Sequence, residues 1–369
     1  MKKHLCWAVL LFFACNNENN DLQDIVHFNL DDKECILDLQ DIFSSIQIIP
    51  LQEPDSIIVN TDSNVIYDEN KFYFIDSQHR KCVDIFDING IYISSVASYG
   101  RSEKEYIGIN DVQLINQMVA IYSSHNKAMY YYNIDGSFVK KDLFDCAPRR
   151  LWKDNNHYWG YMGFSNGKIP ERVIKIDKDG RIATKYMPSS ATIIPMSERG
   201  PVFTPYDNLV LIRESLCNEI LGIDENDEVQ VFIKFDFGKY NIPSKYFDQS
   251  DPYAAARRLL ESDFATIDRF FINEGHAVVA VNFQFGSQNE RIVSATGILC
   301  GETWHWLKTE NDGPLSLFFS SIRGLTSDSD LILLVEKEQI SEFAAKYPEL
   351  IDHFDSFGDN RYVVLCKLK

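Results

Sequence analysis

Two histidines stand in similar polar stretches, His79 in "SQHRK" (77–81) and His125 in "SHNK" (124–127). Imidazole is the commonest metal ligand and the usual general base near neutral pH. A zinc site needs three or four donors, and neither histidine has a third ligand at metal-binding spacing, so no metal is expected. Ser124 directly before His125 does not make a triad, because nucleophile and base meet through the fold and not by adjacency. No G-x-S-x-G elbow occurs in the chain. Carboxylate pairs for glycoside hydrolysis stand roughly 5–10 Å apart across a cleft; with 54 acidic residues, abundance alone singles out none. "DKDGR" (177–181) lacks the spaced oxygens of a calcium loop and reads as a turn. No cofactor is expected. The most aromatic patch is "ETWHWLK" (302–308), with Trp304 and Trp306 on one side of a strand. Such faces stack on sugars or pack between sheets, and packing is the stronger reading.

The elements that would position these residues are strands. Runs rich in Ile, Val, Tyr and Phe last five to seven residues and are broken by Asn, Asp and Gly. One phrase recurs: "FDINGIYISSV" (86–96), "YYYNIDGSFVK" (130–140), "IKIDKDGRIAT" (174–184) and, more faintly, "GIDENDEVQVF" (222–232). Its turn residues Asp87, Asn133, Asp177 and Asp224 lie 46, 44 and 47 positions apart. Around each phrase the chain parses into four strands, over 64–96, 111–142, 149–187 and about 201–236. A period in the mid-forties with four strands per unit marks a β-propeller blade.

The fifth unit, 276–307, falls late, with Ser294 at its equivalent turn position, 70 beyond Asp224. The surplus holds "SDPYAAARRLLESDF" (250–264), a helix inserted between blades four and five, with Asp251 as cap and Pro252 at the first position. The sixth unit starts near Ser320, carries a helical piece over 338–357 and ends in the strand "RYVVLCKLK" (361–369). At the other end "IVHFNL" (25–30), "CILDL" (35–39) and "SSIQIIPLQ" (44–52) read as strands. The last of these closes blade six and removes the open edge. The fold class is all-β: a six-bladed propeller of four-stranded antiparallel blades, occupying 25–369.

Lys2 and Lys3 precede the short apolar run "LCWAVLLFFA" (5–14), the layout of an export signal over 1–14. It ends in "FFAC", so Cys15 is the expected lipidation site of a bacterial lipobox, with 15–24 as a polar tether to the membrane. Residues 12–15 depart from the usual lipobox in having Phe12. The address is the cell envelope, as an outer-membrane lipoprotein facing the periplasm or the surface. The net charge of −18 argues against a nucleic-acid partner, because phosphate binding needs clustered Lys and Arg. The remaining cysteines form no C-x-x-C pair and several lie in apolar strands, where a thiol is a small hydrophobe.

Several of these phrases together carry a family likeness. "DIFSSIQIIPLQ" (41–52), "KFYFIDSQHRKCVDIFDINGIYISSV" (71–96), "EYIGINDVQL" (105–114) and "YPELIDHFDSFGDNRYVVLCKLK" (347–369) resemble the NHL-repeat-like, six-bladed propeller lipoproteins of gut Gram-negative bacteria. The resemblance implies the same fold and address, and most members have no assigned activity. The family's glycine-rich G-x-G-P-x-E-Y loop after blade one is reduced here to "YGRSEKEY" (99–106), keeping Gly100, Glu105 and Tyr106.

In a propeller the loops between second and third strands share one face with those between blades. That face is expected to carry Ser77, Gln78, His79 and Arg80 from blade one, and His125, Asn126 and Lys127 from blade two. Blades three to five add Asn166, Lys168, Arg213, Glu214, Gln284 and Asn289, and the interblade loop adds Arg101, Glu105 and Tyr106. The expected function is a ligand- or partner-binding face for a glycan or peptide. A hydrolase or lyase acting on polysaccharide or envelope polymer, and a scaffold for envelope proteins, are the other classes the sequence leaves open.

Overall fold

Strands flanked by neighbours on both faces lose the usual alternation of apolar and polar residues and become apolar throughout. "KFYFID" and "CVDIFD" are buried from Phe72 to Asp76 and from Cys82 to Phe86, and "AMYYY" is buried at every position. Outer strands such as "FVKKDL" stay largely exposed. The computed structural model describes residues 24–369 apart from 31–38, 164–168, 189–198, 215, 244–245, 247–251, 287–290, 309–317, 319–320 and 352–360.

Two strands precede the blades, β1 (Asp24–His27) and β2 (Phe43–Pro50), with a one-turn helix α1 (Leu39–Ile42) between them. Blade one contains β3 (Asn64–Asp68), β4 (Lys71–Asp76), β5 (Cys82–Asp87) and β6 (Tyr92–Val96). Blade two contains β7 (Asp111–Ile115), β8 (Met118–Ser123), β9 (Ala128–Tyr132) and β10 (Phe138–Leu143). Blade three runs through β11 (Arg150–Lys153), β12 (Tyr158–Tyr161), β13 (Glu171–Ile176) and β14 (Ile182–Pro188). Blade four comprises β15 (Phe203–Tyr206), β16 (Leu209–Arg213), β17 (Glu219–Ile223) and β18 (Val229–Asp236). Helix α2 (Pro252–Leu260) leads into blade five, β19 (Asp263–Asn273), β20 (His276–Phe285), β21 (Arg291–Cys300) and β22 (Thr303–Lys308). Blade six has β23 (Ile322–Leu325), β24 (Asp330–Val335) and β25 (Tyr362–Leu368), with helix α3 (Lys337–Lys346) between the last two.

The sixth sheet has the order β2-β25-β24-β23, so "SSIQIIPLQ" closes the ring as expected, from Phe43 opposite Leu368 to Pro50 opposite Tyr362. Six four-stranded antiparallel sheets thus make a six-bladed β-propeller. β1 adds a fifth strand, parallel to β18 on the rim of blade four. From there Phe28 stacks on Trp306 of blade five, 4.2 Å between ring centroids, and Lys308 Nζ donates to the Leu30 carbonyl at 2.7 Å. Trp304 meets Phe235 of blade four edge-on. These two tryptophans pack between blades. Six apolar clusters fill the six gaps between adjacent blades.

The recurrent turn has one hydrogen-bond pattern. Asp87 Oδ1 accepts the amides of Asn89 and Ile91; Asp177 and Asp224 do the same for the residues two and four positions on. The fourth turn position has positive φ: Gly90 (77°), Gly136 (83°), Gly180 (81°) and, in the faint fourth copy, Asp227 (66°).

Three expectations need correction. Blade five begins at Asp263, not His276: its innermost strand is "DFATIDRFFIN", which pairs with β20 over nearly its whole length. The long hairpin hid the period, because Ser294 lies inside β21 opposite Asn282 and not in a turn. In "CILDL" Leu39 opens α1, while 35–38 fall outside the described residues, as do Asp251 and the end of the 338–357 segment.

Candidate functional site

The innermost strands of the six blades surround a cavity of about 830 Å³. Its wall comes from the starts of β3, β7 and β11, from residues 199–201 ahead of β15, from Arg269 and Phe271 of β19 and from β23. All six blades contribute. The most frequent charged residue in the wall is arginine: Arg149, Arg150, Arg199, Arg269 and Arg323, against Asp62 and Asp111. A chain of net charge −18 therefore carries an excess of positive charge on its axis.

How these cations are held differs from one to the next. Arg150 is paired with the Asp111 carboxylate at 3.3 Å and also donates to the Asn110 carbonyl. Arg323 is 4% exposed and is fixed by backbone oxygens: Nε to Thr61 O at 3.0 Å and Nη1 to Ile322 O at 2.9 Å. Arg269, also 4% exposed, donates Nη1 to the same Ile322 carbonyl at 2.5 Å, and its Nε is buried with no acceptor. Its stem lies over Gly200, where a Cβ would come within 3.1 Å of Arg269 Cγ. Behind them Arg213 binds three carbonyls, those of Pro201, Ile267 and Arg199, and so ties the entry to blade four to the bulged strand β19.

Burial, and then the neighbouring charge of Arg269, push the Arg323 guanidinium down to about 9; nearby Asp62 pulls the other way and Arg199 adds to the depression. Arg269 is lowered first by burial, with Asp268 and Asp62 opposing and Arg199 and Arg213 reinforcing. An arginine guanidinium keeps its charge in proteins. The charge of these two is solvated mainly by neutral carbonyls, which stabilise a cation less than a carboxylate does.

The residues expected on the loop face scatter around this cavity. Gln78 lines it, with Ser77 and Ser124. His79 is exposed outside it, its amide bound to Asp76 Oδ1 at 2.8 Å. Arg80 reaches back to Asp84 at 2.5 Å and braces blade one. Arg101, His125 and Lys127 are exposed, and Lys127 Nζ donates to the Asp145 carbonyl. Asn126 Oδ1 accepts from the Ile107 amide and the Ser123 hydroxyl. Glu105 folds over its own loop, accepting the Ser102 amide at 2.8 Å, which holds its carboxyl below the usual range. A Cβ at Gly100 would lie 2.0 Å from Glu105 Oε2, so the two residues form one turn. Tyr106 is fully buried, and its hydroxyl donates to the Lys81 and Val96 carbonyls. Gln284 is buried in β20 opposite Phe264, and Glu214 is ion-paired with Arg172 at 2.6 Å. Asn166, Lys168, Asn289 and Cys15 lie outside the described residues. Among the described residues no group of three His, Cys, Asp or Glu is placed to hold a metal, and the five described cysteines are free thiols.

Reading the loops alone passed over the axial arginines. The sequence signal for them is an arginine at the entry of an inner strand, in "RRLWK" (149–153), "RGPVF" (199–203) and "SIRGL" (321–325).

Fold and cavity together define a six-bladed β-propeller whose axis is built as a polar, arginine-rich chamber. Residues 24–364 match the model of a domain of unknown function, DUF4934, and the chain belongs to that family. No curated protein matches it. Among solved structures it is similar to a Bacteroides fragilis NCTC 9343 protein described as exported, at 14% identity and TM-score 0.72, over 94% of this chain and 99% of that one. It is also similar to a DUF4221 family member from Bacteroides vulgatus ATCC 8482, at 10% identity and TM-score 0.56, over 89% and 97% of the two chains. At such identities the likeness is one of fold.

Proposed function

We propose that this chain is a binding protein of the cell envelope that holds a glycan or peptide ligand in its axial cavity. The observation that carries the reading is the cavity itself: about 830 Å³, walled by all six blades. That volume falls within the range of ligand sites, and such sites combine a concave apolar frame with a few convergent polar groups. Here Val65, Ile109 and Phe271 give the frame, and Asn64, Gln78 and Ser124 are among the polar groups. The export signal over 1–14 and the lipobox at Cys15 support the address, as does the fold shared with a protein described as exported. We further propose that the chain is held at the outer membrane by lipid on Cys15, as in the NHL-repeat-like lipoproteins it resembles.

The test is capture from glycan and peptide libraries with the wild-type protein and with Asn64→Trp, which places an indole in the cavity. Saturable binding that falls at least about tenfold in the variant is expected, since steric loss of a filled site costs well over 1.4 kcal/mol. Ligands bound equally by both proteins would place binding elsewhere and end the axial reading.

A further inference from the structure

We propose that the wall formed by Arg199, Arg269 and Arg323 receives the oxyanion, carboxylate or sulfate ester, of an acidic saccharide. This rests on the axial binding site proposed above and gives its ligand a chemical class.

Three independent observations converge on it. The first is placement: the arginines come from different blades, four, five and six, and meet on one cavity. Gly200 has φ +71° and lets the Arg269 stem pass close to the backbone next to Arg199. The second is incomplete satisfaction. Arg269 is buried, uses one nitrogen on a backbone carbonyl and leaves Nε without an acceptor. Among the described residues the Arg199 side chain, which is exposed in the same wall, has no hydrogen bond or ion pair. Buried donors are almost always paired in folded proteins, and exceptions point to a function or a missing partner. The third is charge. Arg199 and Arg269 each disfavour the charge on Arg323, with Asp62 and Asp268 opposing them. An entering anion relieves that repulsion, and a planar guanidinium grips a carboxylate or sulfate with two parallel hydrogen bonds.

A saccharide fits the remainder of the wall better than a free inorganic ion or a peptide. Asp62 and Asn64 line the same wall, and among the described residues their side chains make no hydrogen bond (the Asp62 amide donates to Asn60 Oδ1); carboxylate and amide groups suit sugar hydroxyls. Tyr67, half-buried in the same wall, offers a ring against which a pyranose can stack. The cavity is far larger than one inorganic anion requires. The Asp62 carboxylate can accept the hydroxyls of a sugar whose oxyanion lies on the arginines.

The experiment is titration calorimetry of the folded protein with uronate-containing and sulfated oligosaccharides, their neutral counterparts, inorganic sulfate and acidic peptides. Acidic saccharides are expected to bind at least about tenfold tighter than neutral ones and to weaken as salt rises. Arg199→Ala, an exposed position, is expected to cost about tenfold or more, while Lys178→Ala on an outer turn leaves binding unchanged. Arg269→Lys keeps the charge but loses the fork, and its folding is checked by near-ultraviolet circular dichroism; guanidinium ¹⁵N shifts in the wild type read the same contact without a variant. Neutral saccharides binding as tightly, indifferent to Arg199→Ala yet blocked by Asn64→Trp, would overturn the anion assignment and leave the axial site intact. Sulfate alone, or acidic peptides in preference to saccharides, would overturn the saccharide. Binding of no saccharide at all would overturn the inference, and the library captures with Asn64→Trp would then decide the axial site separately.

Discussion

Polar residues in this propeller are spent on joining blades as much as on the axis. Asp142, on the outer strand of blade two, accepts the Tyr158 hydroxyl of blade three at 2.6 Å and Lys140 Nζ at 3.2 Å, with Lys153 Nζ at 3.6 Å. Burial alone would raise its pKa, but the Tyr158 and Tyr131 hydroxyls and Lys140 outweigh it and hold the carboxyl below its ordinary value. A folded value below the unfolded one means that stability is gained above about 3.9 and is lost as pH falls through the folded value. Asp142→Asn is therefore expected to lower stability by about 1 kcal/mol at pH 7. The gap between the urea midpoints of variant and wild type should close near pH 2; an equal gap at both pH values would show that the charge is not what matters. Little of this was legible in the sequence. Arg80, Glu105, Tyr106 and Arg213 have the residue types of a binding site, yet their partners are an aspartate in the next strand or backbone atoms of the same loop or a neighbouring segment. Side-chain type announces polarity, and only the fold decides whether a partner is internal.

At the scale of the element, the turn that counts the blades also fastens them. A Cβ on Gly180 would lie 2.1 Å from the Leu143 carbonyl of blade two, and one on Gly90 2.2 Å from the Pro50 carbonyl of blade six. Each glycine carbonyl accepts an amide from that preceding blade, Asp145 N at 3.0 Å and Gln52 N at 2.8 Å. Gly180→Ala thus meets both an unfavourable φ and a backbone contact, and a loss of more than about 1 kcal/mol is expected in chemical denaturation. A loss confined to a few tenths would mean that the turn shifts freely. This recurrence was legible because the same local chemistry, an aspartate or asparagine closing the turn and a glycine at positive φ, had to appear in blade after blade. Blade five escaped it for a local reason. Its first three strands run to ten or eleven residues and its last turn uses Gly301 at φ 60° without the leading aspartate.

For the whole molecule, ring closure was readable from the surplus strand at the N-terminus, since an unclosed propeller would expose two edges. The position of β1 was not: nothing in "IVHFNL" shows that it lies parallel to β18 before the chain passes on to blade six. If lipid on Cys15 holds the protein, Cys15→Ala should move it from the membrane fraction to the soluble fraction, with its folding unchanged; unaltered fractionation would rule that anchor out. β1 then has a geometric consequence. Eight residues lie between Cys15 and Asp24, so the leash spans nine steps, at most about 32 Å even when fully drawn out. It is fixed to the rim at blade four and not to either end of the axis. A lipid on Cys15 would then pull on the side of the ring at blade four, so the part of the molecule tethered nearest the bilayer would be a blade's outer edge.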